Sequence, residues 1–165
     1  MRVPTQEHVP HFLKDALRSC GRVSLQVSGS SMLPAIWPGD RIWVEVSKFA
    51  ELSQGDVVLF QREGRVFAHR VVARPSNATL LTRGDSMPAN DDQVSAGEFL
   101  GKVTAIERGS QRFSVRPPSA VQSALGRLLC HSNLAHRVAL RWHSRRRTKF
   151  RPSVEDLAAT ARTSA

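Results

Sequence analysis

The chain has 165 residues, which suffices for one domain with a hydrophobic core but not for two domains of ordinary size. It carries 24 Lys+Arg against 14 Asp+Glu, and no stretch approaches the roughly 18 consecutive apolar residues that span a bilayer. The first residues also lack the apolar core and the cleavage site of a secretory signal. We therefore expect a chain without a transmembrane segment or secretory signal, cytoplasmic or peripheral to a membrane, although the sequence does not indicate the compartment.

The charge is distributed unevenly along the chain. Residues 1–110 hold 13 Lys+Arg against 12 Asp+Glu, a balance of +1, whereas residues 111–165 hold 11 against 2, a balance of +9. Together with the periodicities below, this predicts an N-terminal helix over 1–21, a globular domain over 22–110 and a basic helical extension over 111–165. Cys20 and Cys130 belong to no CxxC pair or cluster with metal-ligand spacing, so no metal and no other cofactor is expected.

Apolar residues recur at helical spacing near the start of the chain. The spacing predicts a helix over residues 8–19, ended by a C-terminal cap at Gly21. The apolar face of this helix is predicted to consist of Val9, Phe12, Leu13, Ala16 and Leu17.

Beyond Gly21 the period changes to two. Val23, Leu25 and Val27 alternate with polar residues, which is typical of a half-buried strand. Five further short runs follow, separated by turns that contain glycine: residues 41–46, 57–61, 66–73, 79–82 and 99–107. Short strands at this spacing predict a mainly β fold, an antiparallel barrel or sandwich.

The basic extension has an apolar stripe of its own. Beyond Pro117-Pro118, the stripe predicts a basic amphipathic helix or helix pair over residues 119–146. Two interpretations are open: the helix lies on an anionic membrane surface, or its stripe packs on the β domain while its arginines are solvated. Nucleic acid is a disfavoured partner, because the extension has few aromatic residues beyond Trp142 and Phe150 to stack on bases.

The densest group of chemically suggestive residues follows the first predicted strand: Ser28-Gly29-Ser30-Ser31-Met32-Leu33-Pro34. A serine between a strand and a turn projects its hydroxyl free of the backbone, and it becomes a nucleophile when a base lies within hydrogen-bond reach. Gly29 removes a side chain that would block an extended substrate, and the turn frees backbone N–H groups for a developing oxyanion. Taken alone, the same residues also fit an ordinary loop.

Further boxes follow in order: Gly39-Asp40, Gly55-Asp56-Val57-Val58-Leu59-Phe60, His69-Arg70-Val71, and Arg83-Gly84-Asp85 with Asp91-Asp92. Together with the serine segment, residues 28–34, these boxes cover about residues 22–107. This part of the chain resembles the signal peptidase I and LexA-like superfamily of serine peptidases. The resemblance implies a β-rich catalytic domain that binds an extended peptide as an added strand and cleaves it after small residues. It also implies that Ser31, the serine before Met-x-Pro, is the nucleophile.

The same resemblance implies that His69 is the general base. Bacterial-type signal peptidases and LexA have a lysine in this box, whereas the endoplasmic-reticulum and archaeal branch has a histidine, as this chain does. Histidine side chains titrate near neutral pH, so they accept a serine proton without the desolvation that a lysine base requires. Without the surrounding boxes, a lone histidine at a strand end is more often a structural residue.

In the His-type branch an aspartate orients the imidazole and stabilises its charged form. Counted from Gly84-Asp85, the matching position is Asp91, with Asp92 adjacent. Asp85 is the other candidate, and its expected role is that of a turn carboxylate that holds the loop.

The expected oxyanion and substrate-binding residues are Gly29, Ser30 and Met32. Some signal peptidases carry a hydroxyl residue where this chain has Gly29. The oxyanion hole is therefore expected to depend on backbone N–H groups, that of Ser31 and a neighbour, with Ser30 assisting if its side chain turns inward.

Three functions compete at this point. The favoured one is a serine endopeptidase of signal-peptidase type that acts on a peptide or protein substrate through Ser31, His69 and Asp91. The second is a LexA-like regulatory or nucleic-acid-binding protein, which the single short N-terminal helix disfavours because a helix-turn-helix needs more. The third is a non-catalytic family member that binds peptides, which the presence of all three residues disfavours.

Overall fold

A computed structural model describes residues 9–115 of the chain. These residues form one α-helix, a short 3-10 helix and eight strands that join in a single antiparallel sheet. The predicted fold class, mainly β with an N-terminal helix, is confirmed. In chain order the elements are α1 (Val9–Cys20), β1 (Arg22–Gln26), β2 (Arg41–Glu45), the 3-10 helix (Phe49–Glu51), β3 (Val57–Arg62), β4 (Arg65–Ser76), β5 (Thr79–Arg83), β6 (Val94–Ser95), β7 (Phe99–Arg108) and β8 (Gln111–Ser114).

Helix α1 ends as its sequence predicts, but its buried face is narrower than expected. Gly21 has a φ of +70°, and its N–H donates to the Leu17 carbonyl at 2.8 Å, which closes the last turn. Leu13 and Leu17, one turn apart, are buried. The sequence predicts Phe12 on the same face, but it is 76% exposed, because it lies about 100° around the helix axis from Leu13.

The sheet has the strand order β1-β2-β7-β3-β4-β5-β6, with β8 paired to β7. Its central strand β3 is apolar on both faces, since Val57, Val58, Leu59 and Phe60 are all buried. Val57 and Leu59 pack in one hydrophobic cluster with α1, whereas Val58 and Phe60 pack in a second cluster on the other face. The alternation of a strand therefore builds two cores, one on each side of the sheet.

The sheet continues beyond the boundary that the sequence placed at residue 110. Strand β8 pairs with β7 through Ile106↔Phe113 and its neighbours, so residues 111–114 are a strand and not the start of a helical extension. All four residues of β8 are exposed, so its sequence has no alternation of apolar and polar residues from which a strand could be predicted. The predicted helix over 119–146 and the rest of the basic extension lie outside the described residues.

Within residues 9–115, no helix is long and apolar enough to cross a membrane.

Candidate active site

Ser31 lies where the chain leaves the protein surface for the core. Beyond β1, Val27 is still paired, since its N–H donates to the Asp40 carbonyl at 2.8 Å. After Ser31 the chain turns inward, and Met32, Leu33 and Ile36 are all buried. The Leu33-Pro34 peptide bond is cis, and the Ile36 N–H donates to the Met32 carbonyl at 2.9 Å. Buried side chains on its C-terminal side therefore fix the position of Ser31.

His69 lies in the middle of β4, where its partner across the ladder is Val58 of β3. The side chain is 6% exposed. Its ring packs against two aromatic rings, with centroid distances of 5.9 Å to Phe60 and 6.0 Å to Phe67. The imidazole is thus held by a strand and by two rigid neighbours.

The imidazole of His69 joins Ser31 to Asp91. Nε2 lies 2.9 Å from Ser31 Oγ, and Nδ1 lies 2.7 Å from Asp91 Oδ2. A carboxylate accepts only, so the hydrogen that faces Asp91 belongs on Nδ1, which leaves Nε2 as the acceptor for the serine hydroxyl. The three side chains that the sequence singled out therefore form one hydrogen-bonded chain in the order Ser31, His69 and Asp91.

Asp91 is held by β5 as well as by His69. Thr82 Oγ1 donates to Asp91 Oδ2 at 2.7 Å, and the Asp91 N–H donates to the Thr82 carbonyl at 2.8 Å. Burial alone would raise the pKa of the Asp91 carboxyl. The hydrogen bonds from His69 and Thr82, with the nearby Arg62 guanidinium, outweigh burial and hold this pKa below its ordinary value. The carboxylate is therefore ionised at neutral pH.

The other two candidate carboxylates face elsewhere. Asp85 receives two hydrogen bonds from Arg70, Nε to Oδ1 at 2.8 Å and Nη2 to Oδ2 at 2.7 Å. Arg70 also donates from Nη1 to the Gly55 carbonyl at 2.8 Å, so Asp85 holds the loop as expected of a turn carboxylate. Asp92 is exposed.

Residues 84–86, which directly follow β5, hold the backbone of Ser30 and Ser31 through hydrogen bonds and close packing. The Ser86 N–H donates to the Ser31 carbonyl at 2.9 Å, and Ser86 Oγ lies 2.9 Å from the Ser30 carbonyl. Gly84 packs so closely that a Cβ there would lie 2.6 Å from the Ser31 carbonyl oxygen. Sequence reasoning missed Thr82, Gly84 and Ser86 in these roles. The signal that could have found them is the Arg83-Gly84-Asp85 box, which contains Gly84 and is flanked by Thr82 and Ser86.

The residues predicted to hold the oxyanion and the substrate divide into two kinds. Gly29 is exposed, with no atom within 4 Å of a Cβ placed on it, and Ser30 is half-buried. The Met32 side chain is 3% exposed and packs in the core, so Met32 can meet a substrate only through its backbone. Among the described residues, the N–H groups of Ser31 and Met32 donate to no protein acceptor.

In the part of the chain that the structure describes, no group of three His, Cys, Asp or Glu side chains is placed to hold a metal ion. Cys20 is an exposed free thiol.

No curated protein matches this chain. A family model described as Peptidase S24-like matches residues 8–104, more than half of the chain, and this span contains Ser31, His69 and Asp91. The match confirms the resemblance to the LexA-like and signal-peptidase-like serine peptidases that the sequence boxes indicated. The chain belongs to the Peptidase S24-like family.

Proposed function

We propose that this protein is a serine endopeptidase in which Ser31 is the nucleophile, His69 the general base and Asp91 the acid that orients the base. The observation that carries the proposal is the bridging imidazole, 2.9 Å from Ser31 Oγ and 2.7 Å from Asp91 Oδ2. Both distances lie within the range that proton transfer requires. The burial of His69 and its fixed neighbours support the same role, because an oriented imidazole needs no reorganisation before reaction.

Acylation begins when Ser31 Oγ attacks the carbonyl carbon of the scissile peptide bond. The Oγ–C bond forms, the hydroxyl proton passes to His69 Nε2, and the carbonyl π electrons move onto oxygen. Asp91 stabilises the imidazolium that results. When the carbonyl re-forms, the C–N bond breaks and the leaving amine takes the proton from Nε2. Water then attacks the acyl-enzyme with the same imidazole as base, and the carboxylic acid product leaves Ser31 free.

The backbone beside Ser31 supports the rest of the reaction. The Ser31 N–H has no protein acceptor among the described residues, which leaves it available to a developing oxyanion. Within the described sheet, β1 pairs on one side only, with β2. Its other edge and the open space at Gly29 fit an extended peptide added as a strand. Cleavage after small residues, as in signal peptidases, is the specificity that the family resemblance suggests.

Acylation by p-nitrophenyl acetate tests the proposal without knowledge of the natural substrate. The wild-type chain is expected to release p-nitrophenolate in a burst, and mass spectrometry should find one acetyl group on the peptide that contains Ser31. Ser31→Ala and His69→Ala are each expected to abolish the burst. The control is Ser110→Ala, an exposed serine in the turn after β7, which should keep the wild-type burst. A full burst in folded Ser31→Ala would overturn the assignment.

A peptide library then tests the specificity. Peptides with small residues before the scissile bond should be cleaved, and those with large residues at the same place should not.

A further inference from the structure

Arg62, the last residue of β3, lies close to Asp91 without touching its carboxylate. Its Nε donates to Glu98 Oε1 at 2.7 Å. Its two terminal nitrogens donate to the backbone, Nη1 to the Asp92 carbonyl at 3.2 Å and Nη2 to the Gln93 carbonyl at 3.0 Å. One guanidinium thus connects β3 to the two residues that follow Asp91.

This connection falls where the sheet itself gives no support. Residues 84–93 join β5 to β6 and belong to no strand. Near the N-terminal end of this loop, Ser86 is hydrogen-bonded to the serine segment. Further along the loop, Asp91 is hydrogen-bonded to Thr82 of β5. On the C-terminal side, the contacts from Arg62 hold residues 92 and 93 before β6 begins. Asp91 is therefore fixed between a threonine on one side and a guanidinium on the other.

The partner of Arg62 is itself held. Glu98 Oε2 accepts from the Ser95 N–H at 2.9 Å and from Ser95 Oγ at 2.8 Å. The Arg62 and Glu98 side chains are 23% and 27% exposed, so water competes only in part for their hydrogen bonds. Arg62 also stacks on Phe60, 5.6 Å from the ring centroid, and Phe60 packs on His69. The guanidinium therefore contacts a ring that packs on His69 and the backbone that directly follows Asp91.

We propose that Arg62 is a positioning residue, whose forked contacts to the Asp92 and Gln93 carbonyls hold Asp91 in line with His69. The inference rests on the proposed peptidase function for its kinetic consequence, but the geometry of Asp91 tests it independently. Arginine suits the role because its planar fork supplies several donors in fixed directions, whereas a lysine is a flexible point charge. Arg62 does not act on the substrate itself.

Three variants separate position from charge. Arg62→Gln removes both the charge and the fork, and the acylation rate constant is expected to fall about tenfold with little change in KM, since a small misplacement of the base is costly. Arg62→Lys keeps the charge but not the fork, and its rate should stay roughly fivefold or more below wild type. The control is Arg74→Gln on β4. Arg74 also donates to backbone carbonyls, but to those of Phe49 and Leu52 and not to the loop that carries Asp91, and the wild-type rate is expected.

A second measurement does not depend on activity. A proton shared between His69 Nδ1 and Asp91 Oδ2 gives a low-field NMR resonance, and Asp91→Asn identifies it by its loss. This resonance should weaken or disappear in Arg62→Gln and Arg62→Lys and persist in Arg74→Gln. Thermal unfolding of each variant shows that it is folded at the temperature of the measurement.

The outcomes distinguish this inference from the proposed function. No Ser31-dependent burst in wild type would overturn the peptidase, while the resonance would still test the role of Arg62. A normal burst and an unchanged resonance in Arg62→Gln would overturn the positioning role alone. Full recovery in Arg62→Lys would show that charge acts rather than the fork, and equal losses in Arg62→Gln and Arg74→Gln would show a general loss of stability. Either result would contradict the proposal.

Discussion

The carboxylates around the serine segment differ in the groups that they face. Asp85 is paired with Arg70, and Asp40, which is 2% exposed, is paired with Arg108. A guanidinium keeps its charge at every ordinary pH, so these two pairs hold loops and exchange no protons. Asp91 instead faces the imidazole of His69, with Oδ2 2.7 Å from Nδ1. Of these three carboxylates, Asp91 is therefore the one whose partner is the base of the proposed peptidase.

The carboxylate of Glu98 gives a prediction about pH and stability. The hydrogen bond from Arg62 outweighs burial and, with those from Ser95, lowers the pKa of Glu98 from 4.5 to about 2. Since this pKa is depressed by folding, the ionised group contributes stability that is full above pH 4.5 and is lost as the pH falls toward 2. Glu98→Gln should therefore lower the free energy of unfolding at neutral pH, and its difference from wild type should shrink under strong acid. Urea denaturation over a pH series measures both.

Glu51→Gln is the matched control for Glu98→Gln. Glu51 forms an ion pair with Lys48, but its side chain is 62% exposed, so solvent screens the pair. Little change in the free energy of unfolding is expected at any pH. A loss in Glu98→Gln that stayed constant from neutral pH to strong acid would show that the negative charge is not its source.

At the scale of the elements, the sequence predicted the helix and the strands that its apolar residues mark, and it missed β6 and β8, which have no such pattern. The two-residue period located β1, short runs between glycine-containing turns located β2 to β5 and β7, and the helical period located α1. Strand β6 has two residues, too few for a period, and β8 has no buried residue. Both are defined by backbone pairing with a neighbouring strand, which side-chain patterns do not report.

The residues of the candidate site also divide into those that the sequence predicted and those that it missed. The family boxes brought Ser31, His69 and Asp91 forward, because each box carries a reactive side chain in a fixed order. Thr82 and Ser86 act through hydrogen bonds to Asp91 and to the backbone of Ser30 and Ser31, and a threonine or a serine fits many other positions as well. Arg62 lies about thirty residues before its carbonyl partners (separations of 30 and 31), so only the folded loop reveals the contact.

The turn after β5 gives a prediction about packing. A Cβ at Gly84 would lie 2.6 Å from the Ser31 carbonyl oxygen and 2.7 Å from Met87 Cγ. The methionine side chain can move, but the carbonyl belongs to the backbone of Ser31, so Gly84→Ala must displace Ser31 or the turn. We expect a loss of about 1–3 kcal/mol in stability and of roughly 100-fold or more in acylation. Thermal unfolding and the p-nitrophenyl acetate burst measure the two effects.

Gly97→Ala provides the comparison for Gly84→Ala. The atom nearest to a Cβ at Gly97 is Ser95 Oγ at 3.9 Å, an ordinary contact. Stability and acylation should stay close to wild type. Similar losses at both glycines would mean that the close approach of Gly84 to Ser31 is not the cause.

For the described part of the molecule, the site draws on both hydrophobic clusters. The serine segment and the turn after it are anchored in the cluster with α1 through Met32 and Ile36. His69 instead packs against Phe60 of the other cluster. The 2.9 Å contact between Ser31 and His69 therefore depends on the sheet that separates the two cores. Precise geometry in a small domain is achieved here by placing His69 on a strand and Ser31 on a deeply anchored loop.

The uneven charge of the whole chain gives the last prediction. Residues 111–165 carry a balance of +9, and we propose that they attract the chain to anionic lipid surfaces. Replacement of Arg145, Arg146 and Arg147 by glutamine in the full chain should weaken binding to vesicles of phosphatidylserine and phosphatidylcholine roughly 100-fold at low salt, at about 1 kcal/mol per residue. The same number of glutamines at the exposed Arg18, Arg41 and Arg83 should have a smaller effect, because residues 1–110 are nearly neutral. Vesicle flotation measures both, with phosphatidylcholine alone as the neutral surface. Equal weakening by the two triple variants, or retention on duplex DNA but not on vesicles, would contradict a lipid-directed role for the extension.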